Sequence, residues 1–283
     1  MTQTAVRVRG LTKRYGEVRA VRGIDLSIHP GEVYAILGPN GAGKSTTVEI
    51  LEGYRRRDGG EVSVLGTDPG RPTRRWRSRL GIVLQTASDA AELTVRETVR
   101  HFAAYYPDPR DPDEVLAQVG LAGKAGSRVR RLSGGQRRRV DVALGIIGRP
   151  EILFLDEPTT GFDPEARRRF WALVRSLAGD GTTIVLTTHY LDEVEALADR
   201  VSVIAAGRVV AEGPPGTLGG RAAAMTEITW TEDGAPRTLA TGDPTRTVVE
   251  LAARFGGEIP GLTVTRPTLE DVYLRLIKGV RDE

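Results

Sequence analysis

The amino-acid sequence predicts an α/β protein with a largely parallel sheet. Short strand-like runs alternate with helix-like segments along the chain, which is the pattern of layered α/β proteins. Several of the runs are almost entirely apolar, as expected for parallel strands that are covered on both faces. The chain has 283 residues, of which 40% are hydrophobic and 27% charged, so one large or two small globular domains are expected.

The individual elements follow from apolar periodicity and from the turn-forming residues between them. The predicted strands cover residues 5–8, 24–28, 32–37, 80–84, 152–155, 182–187 and 200–204. One helix is predicted after Lys44, and the others cover residues 94–106, 112–119, 133–147 and 164–177. Thr94 and Glu97 have the spacing of a capping box, and Pro164 suits the first turn of a helix.

A stretch rich in glycine and proline, residues 213–220, indicates a boundary in the chain. We therefore expect one domain over residues 1–218 and a C-terminal extension over residues 219–283. The extension should contain short β segments at residues 227–231 and 263–265. A closing helix is predicted at residues 269–278.

The composition excludes several classes of protein. The chain has no cysteine, which excludes disulfide frameworks, thiolate metal sites and cysteine nucleophiles. It has no apolar run of the roughly 18 to 20 residues that a membrane helix needs, and no secretory signal is expected, so a cytoplasmic location is predicted. The net charge is +3, and arginine clusters such as residues 55–57 and 137–139 are interleaved with acidic residues, so no nucleic-acid partner is expected.

Residues 38–45, GPNGAGKS, fit the phosphate-loop pattern GxxxxGK[ST] in full. They follow a predicted buried strand and precede a predicted helix. Glycines allow a tight turn whose backbone N–H groups point at phosphate oxygens, and the helix adds its positive end. Lys44 is placed to bind the β- and γ-phosphates, and the Ser45 hydroxyl to bind Mg²⁺. The motif predicts a nucleoside triphosphate but not which enzyme uses it.

Two acidic residues follow the apolar run of residues 152–155. Asp156 lies at the end of this predicted central strand, where its carboxylate could bind Mg²⁺ from the outer coordination shell. Glu157 comes next and would lie on the opposite side of an extended chain. It could then face an attacking water while Asp156 faces the metal.

A second helix start lies between these two motifs. Residues 132–136, LSGGQ, place Ser133 as an N-cap and leave the backbone N–H groups of two glycines bare. These residues could form a second anion-binding helix start, or an ordinary cap followed by a basic helix.

Over residues 4–218 the sequence resembles the ATP-binding subunits of ATP-binding cassette (ABC) transporters, with six motifs in the family's order. The resemblance implies a P-loop NTPase core of the ABC ATPase type, with a helical subdomain at about residues 86–148 and an antiparallel β subdomain. Residues 219–283 would then be a small α+β extension. The family pairs two such domains head to tail, so the resemblance implies a dimer, and we expect a homodimer of this chain.

The resemblance also implies a role for each motif residue. The residues that would bind ATP from their own subunit are Tyr15, Gly38, Pro39, Asn40, Gly41, Ala42, Gly43, Lys44, Ser45 and Thr46. Those that would meet the ATP of the second subunit are Ser133, Gly134, Gly135, Gln136 and Asp163. Glu157 would act as general base or water orienter with His189 and Gln85, and the Mg²⁺ ligands would be Ser45, Gln85 and Asp156. Phe162 replaces the family's usual leucine beside Asp163.

Residues 93–107 and the tail at 266–274 are similar to the ATPases of ABC-2 exporters, including the daunorubicin-resistance type. This implies an ATPase on the cytoplasmic face of the cell membrane that drives a separate permease, exporting a drug or another hydrophobic small molecule. An importer ATPase and a regulatory ATPase without transport remain open. Proteins of the translation-factor kind carry two cassettes and chromosome-maintenance proteins a long coiled coil, and this chain has neither.

Overall fold

The computed structural model describes residues 4–83 and 92–281. Within them the chain forms two compact units, which divide between Glu212 and Gly213. None of the helices in this described part is both long enough and apolar enough to cross a membrane.

The first unit contains nine strands and seven α-helices among the described residues. The strands are β1 (Val6–Tyr15), β2 (Val18–Ile28), β3 (Val33–Leu37), β4 (Gly59–Val64), β5 (Leu80–Val83), β6 (Ile152–Asp156), β7 (Thr183–Thr188), β8 (Arg200–Ala205) and β9 (Arg208–Gly213, whose last residue crosses the division). The helices are α1 (Lys44–Leu51), α2 (Arg74–Arg77), α3 (Val95–Ala103), α4 (Pro112–Gln118), α5 (Gly134–Ile146), α6 (Pro164–Gly179) and α7 (Leu191–Leu197).

A six-stranded sheet, in the order β5-β6-β7-β3-β8-β9, forms the centre of this unit. The pairs β5–β6, β6–β7, β7–β3 and β3–β8 are parallel, and every residue of β3 and β7 is buried. In the register, Leu37 pairs with Thr188 and Asp156 with Thr187. The ends of β3, β6 and β7 therefore meet at one edge of the sheet, where ligands of open α/β sheets bind.

A separate antiparallel sheet has the order β2-β1-β4. Its inward-facing residues, among them Val6, Leu26 and Val64, share one apolar core with Tyr34 and Phe154 of the central sheet. The local predictions for the neighbouring helices are confirmed. Thr94 and Glu97 form a capping box at the start of α3, and Pro164 lies in the first turn of α6.

The second unit consists of β10 (Thr226–Glu232), β11 (Ala235–Thr241), β12 (Thr263–Thr265), α8 (Pro244–Phe255) and α9 (Leu269–Arg281). The strands form an antiparallel sheet in the order β11-β10-β12. Its own small core joins Ile228 and Trp230 of the sheet to Leu251 of α8. The strands β4, β9 and β11 and the helices α2, α7 and α8 were not predicted. The helix α2 has only four residues and β11 is largely exposed, whereas α8 has an amphipathic pattern that sequence reasoning missed.

Candidate functional site

The phosphate loop connects the end of β3 to the start of α1. Gly43, the residue before α1, has a φ of 102°, and a Cβ atom there would clash with the carbonyl oxygen of Ala20. A Cβ atom at Gly38 would clash with the carbonyl oxygen of Ile204. Glycine is therefore needed at both positions, because one demands a left-handed backbone and both demand close approach to another chain segment.

Lys44 lies inside this loop, with only 5% of its surface exposed. Its Nζ donates to the carbonyl oxygens of Gly38, at 2.7 Å, and Pro39, at 3.2 Å. Burial lowers the pKa of Lys44, and the nearby carboxylates of Glu157 and Asp156 act in the opposite direction. An ammonium group held in this way is directed at the space that the loop surrounds.

That space is a cavity of about 490 Å³, lined by residues 40–46, Tyr15, Ala20 and Glu157. Tyr15 is 39% exposed at its rim. The guanidinium carbon of Arg55 lies 5.3 Å from the centre of the tyrosine ring and the Nζ of Lys13 lies 5.5 Å from it, which are cation–π distances. The ring is thus held beside the loop with part of its surface open to a planar ligand.

The acidic pair lies at the end of β6, on the same edge of the sheet. The Thr187 hydroxyl on β7 hydrogen-bonds with Asp156 Oδ1. The backbone N–H of Glu157 approaches both the carbonyl oxygen and the hydroxyl oxygen of Thr187, each at 3.1 Å. His189 Nδ1 lies 3.3 Å from Glu157 Oε1.

The backbone at Glu157 differs from the extended conformation that the sequence argument assumed. Strand β6 ends at Asp156, and the next residue, Glu157, has a φ of 45°, in the left-handed region. A residue other than glycine in this conformation carries strain of about 1–3 kcal/mol, and such residues cluster at functional sites. The separation of the two carboxylates therefore comes from this turn and not from the alternation of a strand.

The second helix start is formed as predicted. Ser133 is the N-cap of α5 and makes a capping box with Gln136. The Ser133 N–H donates to Gln136 Oε1 at 3.1 Å, and the Gln136 N–H donates to Ser133 Oγ at 3.3 Å. A Cβ atom at Gly134 would meet nothing within 4 Å, so a ligand has open access to this end of the helix.

Asp163 is the N-cap of α6, and its Oδ1 accepts a hydrogen bond from the Ala166 N–H at 2.8 Å. This bond holds the pKa of Asp163 below its ordinary value. The preceding residue, Phe162, is buried and packs edge-to-face on Phe170 at 5.8 Å. The aromatic side chain in place of leucine is thus accommodated within the chain's own core.

The structure brings most of the predicted residues of the subunit's own site together, around the phosphate loop, Tyr15, Asp156, Glu157 and His189. The residues predicted to meet the ATP of the second subunit do not line that cavity: Ser133, Gly134, Gly135, Gln136 and Asp163. Gln85 lies outside the described residues. Among the described residues, no group of three or more histidine, aspartate or glutamate side chains is arranged to hold a metal ion.

Sequence reasoning missed Arg138, which lies on α5 and is only 8% exposed. Its Nη2 donates to the carbonyl oxygen of Asp156 at 2.7 Å, and its Nε to that of Pro158 at 3.2 Å. A signal was available, since Arg138 shares a helical face with the buried Val142 and Gly145. An arginine within an apolar stripe indicates a buried partner.

Comparison with known proteins identifies relatives along almost the whole chain. The family described as ABC transporter matches residues 21–160. The daunorubicin resistance ATP-binding protein DrrA3 of Streptomyces coeruleorubidus is 40% identical, over 98% of this chain and 96% of that protein. The Nod factor export ATP-binding protein I of Rhizobium sp. (strain N33) is 36% identical, over 98% of each chain.

Solved structures show the same fold. A dimeric ATP-binding cassette, MJ0796, in a post-hydrolysis state with ADP and Pi, has a TM-score of 0.68 and 27% identity, covering 74% of this chain and 98% of that one. An ATP-binding subunit of an ABC transporter has a TM-score of 0.72 and 22% identity, covering 96% of this chain and 99% of that one. The predicted P-loop NTPase fold of the ABC ATPase type is confirmed.

Proposed function

Since this chain belongs to the ABC transporter family, as an ATP-binding subunit with ATPase activity, we propose that it drives export through a separate membrane permease. The observation that supports this most is the full-length similarity to two ATPases named for resistance or export. Those two names refer to different compounds, and we propose that the permease, not this subunit, selects the cargo. We propose a drug or another hydrophobic small molecule as the cargo class, and the cytoplasmic face of the cell membrane as the location.

ATP binds in the cavity around the phosphate loop. The backbone N–H groups of residues 38–46 and the start of α1 surround the phosphates, and Lys44 exchanges its bonds to loop carbonyls for bonds to the β- and γ-phosphates. The exposed face of Tyr15 stacks on the adenine. This division of roles is supported by the buried cation and the partly exposed ring that line one cavity.

The residues present fit Mg²⁺ that arrives with the nucleotide. Mg²⁺ is usually held by one or two carboxylates together with substrate phosphates, which agrees with one carboxylate here instead of a full protein cage. The Ser45 hydroxyl and the Asp156 carboxylate are oxygen donors of the required kind, and Gln85 would be the third. The ion would supply charge neutralisation at the β- and γ-phosphates.

Glu157 orients the attacking water and accepts its proton, and His189 holds the Glu157 carboxylate in place. The 3.3 Å approach of His189 Nδ1 to Glu157 Oε1 supports this pairing. Glu157 also lines the cavity that contains Lys44, so its carboxylate is within reach of a nucleotide bound there. Gln85, in the family's position for contacting the metal and the water, would complete this group.

The site is completed by a second subunit, which we propose is another copy of this chain. The start of α5, with Ser133, Gly134, Gly135 and Gln136, lies outside the subunit's own cavity. The capping box uses the N–H groups of Ser133 and Gln136, and the N–H groups of Gly134 and Gly135 are left for the γ-phosphate of the second subunit. Asp163 lies in the loop that crosses between the subunits. We place the cassette in residues 1–218 and the extension in residues 219–283.

Turnover by the assembled transporter tests this function. The chain is co-expressed with its membrane permease, and ATP hydrolysis and efflux are measured in vesicles. Ser133→Ala is expected to lower both at least about 10-fold, because it removes a hydroxyl that meets transition-state charge. Ser176→Ala, an exposed serine on α6, is the matched control. Unchanged hydrolysis with Ser133→Ala would contradict the shared site, and ATP-driven uptake instead of efflux would contradict export.

A further inference from the structure

Arg138 connects two parts of the catalytic apparatus within one chain. It lies on α5, five residues after the N-cap Ser133, and its guanidinium binds the carbonyl oxygens of Asp156 and Pro158. These two carbonyls belong to the residues on either side of Glu157. The Asp156 carbonyl belongs to the peptide unit that leads into Glu157, and the Pro158 carbonyl to the peptide unit one residue beyond it. The fork of the guanidinium therefore bridges the turn that carries the Glu157 side chain.

The conformation at this point needs external support. Glu157 has a φ of 45°, which is strained for a residue with a Cβ atom. Thr187 binds its backbone N–H from the β7 side, and Arg138 binds the flanking carbonyls from the α5 side. Held between these contacts, the turn is fixed in one arrangement.

The burial of Arg138 indicates that its hydrogen bonds to the carbonyl oxygens offset the cost of removing the guanidinium from water. Taking a guanidinium out of water is costly, and burial lowers the pKa of Arg138, while Asp141, Asp156 and Glu193 act in the opposite direction. A planar fork binds two carbonyl oxygens in a defined direction, which the point charge of a lysine does not. A cavity of about 280 Å³ beside it is lined by Gly134 of the helix start and also by Glu157.

We propose that Arg138 is a positioning residue for ATP hydrolysis: it holds the turn at Glu157 and ties that turn to the helix that begins at Ser133. The inference rests on the proposed function, in which the start of this helix meets the ATP of the second subunit. When the start of α5 contacts that ATP, Arg138 sets the direction of the Glu157 side chain at the other site. Occupancy of each site by ATP therefore affects the water-orienting glutamate of the other site.

A double-mutant cycle on the assembled transporter tests this role. Arg138→Lys and Arg138→Met are made alone and together with Glu157→Gln, and kcat and KM for ATP are measured. Each single change is expected to lower kcat about 10- to 100-fold, the loss that slight misplacement of a reacting group causes, with KM within about two-fold. Neither change should lower the residual rate of Glu157→Gln further, because Arg138 acts through Glu157.

Arg149, exposed just beyond α5, is the matched control: Arg149→Lys and Arg149→Met should keep the original kcat. The thermal unfolding midpoint is measured for every variant, and Arg138→Lys, which keeps the charge, serves if Arg138→Met does not fold. The inference would be overturned if kcat stayed unchanged in Arg138→Lys and in Arg138→Met, where the latter folds. It would also be overturned if a change at Arg138 lowered the residual rate of Glu157→Gln further. If Glu157→Gln itself keeps normal turnover, the proposed function fails instead.

Discussion

His189 Nδ1 lies 3.3 Å from Glu157 Oε1, although the two residues are 32 positions apart in the sequence. They come together because β6 and β7 are paired directly in the sheet. Glu157 follows the end of β6, and His189 follows the end of β7. The parallel register brings the two residues to one edge of the sheet, beside the phosphate loop. The contact joins a carboxylate that faces the nucleotide cavity to a partner that restricts its direction.

Replacing Glu157 should separate binding from hydrolysis. We expect Glu157→Gln to bind ATP and to remain as an ATP-bound dimer, while steady-state hydrolysis falls about 100- to 10,000-fold, the contribution of a positioned general base. Phosphate release and size-exclusion chromatography measure the two effects. Glu165→Gln, an exposed glutamate on α6, should keep normal turnover, and rapid hydrolysis by Glu157→Gln would exclude the assigned role.

Removing the loop cation should weaken nucleotide binding directly. Lys44→Met is expected to raise the Kd for ATP about 10- to 100-fold, because a hydrogen bond to a charged group contributes about 1.5–3 kcal/mol. Equilibrium binding of a fluorescent ATP analogue measures the change. Lys124→Met removes an exposed lysine elsewhere and should bind ATP normally. Equal affinities of the two variants would show that Lys44 does not bind phosphate.

The tyrosine at the cavity rim should contribute through its ring. We expect Tyr15→Ala to weaken ATP binding by about 1–3 kcal/mol, the usual contribution of base stacking on an aromatic side chain, and Tyr15→Phe to preserve it. Tyr54→Ala alters another exposed tyrosine and provides the reference. Isothermal titration with ATP gives the affinities, and loss of binding in Tyr15→Phe would assign the effect to the hydroxyl instead.

Glycine at position 43 should be essential for the loop. Gly43→Ala forces a Cβ atom into a left-handed backbone and against the carbonyl oxygen of Ala20. The backbone conformation alone should lower the free energy of unfolding by about 1–3 kcal/mol, and the clash should add to it. Gly126→Ala, where a Cβ atom meets nothing within 4 Å, is the control in chemical denaturation. Equal stability of the two variants would argue against the described loop.

A buried carboxyl near the site should make stability depend on pH. Burial, together with the nearby carboxylates of Asp156 and Glu49, raises the pKa of Glu52 to about 8. Because the folded chain holds this proton more tightly than the unfolded one, the stabilisation is full below the ordinary pKa of 4.5 and is lost as the pH rises to about 8. Glu52→Gln should therefore gain stability relative to the original chain between about pH 5 and pH 8.

Urea denaturation across this pH range measures the effect of Glu52→Gln. The exposed Glu61→Gln provides the comparison for removing one carboxylate elsewhere. A difference in unfolding free energy that stays constant with pH would show that Glu52 does not titrate in this range.

Features encoded by neighbouring residues could be predicted. The capping box at Thr94 and the N-cap at Ser133 were predicted because the residues that form them lie within one helical turn. The phosphate loop was found because its glycines and Lys44 are contiguous. Strands β3, β6 and β7 were found because buried parallel strands are apolar along their length. Strand β11, which is largely exposed, has no such pattern.

The class of fold, the phosphate loop, the acidic pair and the two helix starts could be predicted from the amino-acid sequence, because each depends on the chemistry of adjacent residues. The left-handed turn at Glu157 and the bonds from Arg138 to the carbonyl oxygens beside it were seen only in the folded chain. Those features depend on how α5 packs against the end of β6. A contact between residues so far apart in the chain exists only once the strands and helices have been assembled.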